Sequence, residues 1–120
     1  LDRFKQNLKA IITYPAVIAH NPHIILLTPP PIEETLMSDL LKKMKEETGI
    51  DMPPPADRAQ DARLYADAVK EVADEEGVAV VDVWKVCMEK SGWKEGDKLL
   101  GTIEGGRSEE LAGLLTDGEL

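Results

Sequence analysis

Phe4, Leu8, Ile11 and Ile12 stand at i, i+4, i+7 and i+8, one apolar stripe of a helix that Asp2 can cap and Pro15 should stop. Asn21-Pro22 then signals a turn. Directly after it, Ile24-Ile25-Leu26-Leu27-Thr28 runs apolar without alternation, the pattern of a strand buried on both faces in a helix-covered parallel sheet. Pro29-Pro30-Pro31 ends that strand, because proline has no N–H to give to a ladder.

Between Ile32 and Pro55 the rhythm loosens. Leu36, Leu40, Leu41 and Met44 can share a helical face with Gly49 closing it, before Pro53-Pro54-Pro55 breaks regular structure again. From Asp57 to Glu76 the helical signal is strong. Leu64, Ala68 and Val72 repeat at a period near four, Tyr65, Val69 and Ala73 widen that face, Asp57 can cap it and Gly77 ends it. Val78-Ala79-Val80-Val81-Asp82-Val83 reads as a second buried strand, Trp84 to Lys90 as a short helix, and Ser91-Gly92 as a turn. Residues 92–108 carry glycine and charge in the manner of a flexible loop, and 109–115 have room for one short amphipathic helix or turn.

Strand, helical crossover, strand is the βαβ pattern, right-handed almost without exception, so the expected class is α/β with parallel strands. Two strands fall short of the roughly five of a stable doubly wound sheet. An open edge should remain, through which the chain can self-associate, and the whole is expected to be one partial domain over residues 1–120.

Composition narrows the function classes. With 42% hydrophobic and 31% charged residues the chain can bury a core, and with only five aromatics that core should be aliphatic. A formal charge of −9, with Lys and Arg dispersed, argues against nucleic acid and against an anionic membrane surface. A lone cysteine, Cys87, cannot form an intrachain disulfide, which fits an intracellular, cytoplasmic protein. No apolar run approaches the roughly 20 residues of a membrane span. Asp117-Gly118-Glu119-Leu120 departs from an endoplasmic-reticulum retention tail in its leading positions.

In open α/β sheets, ligands bind beyond the carboxyl ends of the strands. That rule selects Thr28, Pro29 and Pro30 as a rigid wall of a substrate pocket, against the plainer reading of a strand terminator. His20 and His23 lie at the opposite end, with Pro22 between them, and read as exposed turn residues rather than metal ligands. Cys87, beside Met88 in an amphipathic segment, reads as a buried inert thiol. Gly105-Gly106 is followed by no Lys-Ser/Thr and makes no phosphate loop. Asp74-Glu75-Glu76 and Glu109-Glu110 are solvated helix faces. In Leu114-Leu115-Thr116-Asp117-Gly118 the aspartate is either a turn residue or a catalytic acid.

Taken in order, these segments carry a resemblance. Phe4-Lys5-Gln6-Asn7-Leu8, Ile24 to Pro31, Arg58, Tyr65-Ala66-Asp67-Ala68-Val69, Val81-Asp82-Val83-Trp84 and Leu114 to Gly118 together resemble the isoamyl-acetate-hydrolysing branch of the SGNH (GDSL-type) hydrolases. The resemblance implies a flavodoxin-like three-layer α/β/α domain and a serine esterase acting on short-chain esters, without metal or cofactor. It implies attack by the serine of a Gly-Asp-Ser motif, an oxyanion held by hydrogen-bond donors, and hydrolysis of the acyl-enzyme. Asp117 matches the acid of the family's closing Asp-x-x-His, but Leu120 stands where that motif has histidine. Gly-Asp-Ser and Gly-x-Asn-Asp are missing, and Ser38, Ser91 and Ser108 do not follow a strand. The chain as given is therefore expected to be inactive, the later part of an ester hydrolase. The competing expectation is a catalytically degenerate binding or interaction module. A nucleotide-binding domain lacks the glycine-rich turn it needs.

Overall fold

The structure is a computed structural model and describes residues 1–52, 57–102 and 108–117, the side chain of Asp117 excepted. Among these described residues, six helices and two short strands follow in the order α1 (Asp2–Ile12), α2 (Pro15–His20), β1 (Ile25–Leu27), α3 (Glu34–Thr48), α4 (Arg58–Glu76), β2 (Ala79–Val81), α5 (Val83–Lys90) and α6 (Glu109–Asp117). The strands are parallel, with Ile25 opposite Ala79 and Leu27 opposite Val81. A mostly helical chain around a two-stranded parallel sheet is compatible with the α/β class.

Several boundaries follow from local chemistry. Pro15 does more than stop α1: it occupies the first turn of α2, where its missing N–H has no intrahelical partner to lose. Asn21 closes α2 in the left-handed conformation that its short side chain tolerates. Gly49 and Gly77 close α3 and α4, as their positions predict. Asp57 precedes α4, but its side chain makes no cap hydrogen bond, and Asp2 lies inside α1 rather than capping it.

The packing departs from the expectation in two ways. The strands are not buried on both faces. Helix α4 packs against both of them from one side, while Ile25 and Leu27 are 60% and 62% exposed and Val80 and Val81 also reach solvent. The reason is that no second helical layer lies on the sheet among the described residues. Nor is the core purely aliphatic. Ala, Val, Ile and Leu make up most of the buried apolar residues, but one cluster gathers Trp84, Trp93, Met88, Cys87 and Leu111 around Ala62 and Ala66, between helices rather than on the sheet. The two indoles meet edge to face, 5.3 Å between ring centres.

Helix α4 reaches these neighbours through small residues. Ala59, Ala62, Ala66, Ala68, Val69, Val72 and Ala73 are buried, whereas Leu64 and Tyr65 of the predicted face are exposed. Tyr65 nonetheless contacts α1, its ring 4.9 Å from that of Phe4. Lys5 pairs with Glu71 and Lys9 with Glu75 along the same α1–α4 seam. Such exposed pairs set register more than they stabilise.

Candidate functional site at the carboxyl ends of the strands

The parallel register that pairs Leu27 with Val81 brings the next residues, Thr28 and Asp82, side by side. The Thr28 N–H continues the ladder to the Val81 carbonyl at 3.1 Å. Its hydroxyl then makes two bonds of opposite sense, donating to Asp82 Oδ1 at 3.1 Å and accepting the Trp84 N–H at 3.0 Å. The apolar run places Asp82 in a strand, but it is the N-cap of α5, accepting the Lys85 N–H at 3.0 Å. Two N–H groups in the first turn of α5 thus find acceptors, one from the preceding residue's carboxylate and one from the neighbouring strand.

Asp82 Oδ2 also meets Lys70 Nζ at 3.2 Å, and Lys70 reaches Asp67 at 3.3 Å. Burial opposes the charge on Lys70, but the hydrogen bonds to Asp82 and Asp67 outweigh it and hold its pKa above the ordinary lysine value. Lys70 is therefore a fixed cation and not a proton acceptor near neutral pH.

Thr28 is 2% exposed with its hydroxyl engaged on both sides, so it ties strand ends together. Pro29 is half-buried and lines an apolar groove of about 330 Å³ with Phe4, Leu8, Leu26, Tyr65 and Val69. Pro30 is exposed. Asp117 is the last residue of α6 rather than a turn residue, and its side chain lies outside the described residues. Gly105-Gly106 and Gly118 to Leu120 also lie outside them.

A second, larger groove of about 550 Å³ runs between α4, α5 and the turn after it. Arg63 stands over both indoles, 5.5 Å from the Trp84 ring and 5.3 Å from that of Trp93, and pairs with Glu95. Sequence reading passed over Arg63, Lys70 and Asp82. The one available signal was Asp82 three residues before Lys85, the spacing of a cap that ends a strand and opens a helix.

Among the described residues, groups that could start acyl transfer do not converge here. His20 and His23 are exposed at the amino end of β1. Ser91 donates to the Cys87 carbonyl and Ser108 accepts the Leu111 N–H. Cys87 is buried, and desolvation pushes its thiol pKa up despite nearby Lys90, as expected of an inert core residue. Among the described residues no group of His, Cys, Asp and Glu could hold a metal, and no helix is long and apolar enough to cross a membrane.

No protein-family profile matches the chain, and no solved structure is a significant match. A GDSL esterase/lipase of Arabidopsis thaliana is 32% identical over 94 residues, which cover 78% of this chain. The match spans 37% of that relative's length. This similarity supports the SGNH (GDSL-type) hydrolases as a coarse assignment, and it does not distinguish the isoamyl-acetate-hydrolysing branch.

Proposed function

We propose that the chain carries the later part of a GDSL-type carboxylic-ester hydrolase, with short-chain esters as substrates of the whole domain. The observation that supports this reading is the 94-residue similarity to a GDSL esterase/lipase. In this reading the domain is a three-layer α/β/α sandwich, Asp117 is the acid that orients the catalytic base, and Pro29 and Pro30 wall the substrate. Thr28 serves the pocket from behind, by fixing the strand end from which those prolines project. A cytoplasmic location and the absence of any cofactor belong to the same proposal.

The 120 residues alone lack the serine nucleophile and the histidine base of such a mechanism. Without these, triad enzymes keep only the residual acceleration of binding and oxyanion donors. Hydrolysis of a short-chain p-nitrophenyl ester by the purified chain tests the reading. No turnover above buffer is expected from the folded chain. Turnover that survives repurification and disappears in Asp117→Ala would overturn the proposed inactivity.

The uncovered sheet face favours a second reading, a catalytically degenerate binding module. Ile25, Leu27 and Val81 present apolar side chains to solvent on that face, beside strand edges that are unpaired among the described residues. The coding sequence ahead of Leu1 separates the two: a strand followed by Gly-Asp-Ser supports the hydrolase, and a start codon adjoining Leu1 supports the module.

A further inference from the structure

The groove between α4, α5 and the turn after it has no part in the ester-hydrolase reading. At about 550 Å³ it has the size of a site for a small organic molecule. Its charges can be matched one by one. Lys70 is held by Asp67 and Asp82, and Lys85 meets Glu89 at 3.9 Å along α5. Arg63 pairs with Glu95. Lys94 makes no ion pair among the described residues. It leaves the groove with an unmatched cation on a chain whose formal charge is −9.

Arg63 is the most constrained of these cations. Its guanidinium lies against both indoles, which restricts the ways its planar fork can turn. Trp84 and Trp93 are each 4% exposed, and neither indole N–H has an acceptor. Donors therefore outnumber acceptors on this wall.

The acceptor that Arg63 does have indicates what the fork is suited to. Arg63 Nη2 donates to Oε1 of Glu95, a side chain that is 74% exposed. A carboxylate thus already sits in the fork, on an arm that solvent surrounds. Exposed pairs of this kind hold weakly, so a carboxylate arriving from solution competes on nearly even terms.

We propose that this groove binds a small-molecule carboxylate, which displaces Glu95 from the Arg63 fork and lays its apolar body beside Trp84 and Trp93. Lys94 supplies the second positive charge. A planar fork matches the two oxygens of one flat group, and a single unmatched cation balances a single negative charge. Phosphate, tetrahedral and more highly charged, fits both conditions less well.

The chain has two tryptophans and both line the groove, so tryptophan fluorescence and the two indole N–H resonances report on it directly. Cyclohexanecarboxylate is titrated into the full 120-residue chain at neutral pH and fixed ionic strength, beside the neutral cyclohexanecarboxamide and inorganic phosphate. The carboxylate should move both indole signals along a saturable curve, and the other two should bind more weakly. Glu95→Gln removes the internal competitor and should tighten carboxylate binding by up to about fivefold. Arg63→Lys keeps the charge but loses the fork, and should weaken binding by about tenfold or more. Glu95 is an exposed side chain, so its variant decides the matter even if Arg63→Lys fails to fold. No saturation by the carboxylate at millimolar concentration would overturn the proposal. Equal binding of the carboxamide would show that the fork reads no charge, and equal binding of phosphate that it reads charge alone; either result is fatal to a carboxylate site. A Glu95→Gln chain that binds no tighter is fatal too, because Glu95 would then not occupy the ligand's place. All of these are binding measurements without turnover, so the groove and the proposed function fail separately.

Discussion

Replacing Thr28 by valine exchanges a hydroxyl for a methyl of similar size at a site that is 2% exposed. The Trp84 N–H loses its acceptor, and a buried donor left unpaired costs about 1–3 kcal/mol. Asp82 Oδ1 loses the Thr28 donor but keeps the Lys85 N–H, a further loss of about 1 kcal/mol. The added methyl returns roughly 0.8 kcal/mol of apolar burial. The balance is a destabilisation of about 2 kcal/mol. Thr28→Ser makes the opposite cut, keeping both hydrogen bonds and removing one methyl, for about 1 kcal/mol. Urea unfolding followed by far-UV circular dichroism measures both, provided the denaturant slope is unchanged. Valine must be the worse substitution. If serine proves worse, or valine falls within about 0.5 kcal/mol of wild type, packing rather than hydrogen bonding holds the strand ends together and the account of this site is wrong.

Gly101→Ala should destabilise by about 1–3 kcal/mol and exceed Gly77→Ala, because both have positive φ but only Gly101 meets backbone at 3.0 Å; thermal melts of the two compare them directly. Arg63→Ala should remove about 1–2 kcal/mol by stripping a cation from two indole faces, with a red shift of tryptophan emission, and Arg63→Lys should recover less than half of the loss. Native Cys87 should react with a disulfide reagent on the order of a hundredfold slower than the same thiol in urea, and equal rates would mean that the site is open.

The elements were legible where one residue type had one local job. Gly49, Gly77 and Pro29 ended what they were expected to end. Element edges were misread where one residue served two neighbours. Asp82 follows a strand, yet its carboxylate belongs to the next helix, and Pro15 ends one helix by starting another. The face of α4 was legible in part: Ala68, Val69, Val72 and Ala73 are buried as the period near four predicts, while Leu64 and Tyr65 are exposed. Toward Trp84, Trp93 and Met88 the helix presents Ala62 and Ala66, small residues that a ranking by large aliphatics passes over. The core is aliphatic in most of its residues, as few aromatics predict, but two of those few are indoles at the centre of one cluster. At the candidate site, position beyond the strand ends points to Thr28, but the partner of its hydroxyl is set by parallel register, which no run of letters reveals.

The alanine face of α4 also bears on how the chain comes to be folded. A methyl side chain has no rotamers to lose on burial, and alanine is the residue most willing to be helical before anything packs against it. The other partner surface, the paired indoles, must be gathered from residues 84 and 93, about twenty or more positions downstream of the Ala62–Ala66 turn they cover. Order should therefore spread outward from α4, which can take shape early and wait for the tryptophans to close over it.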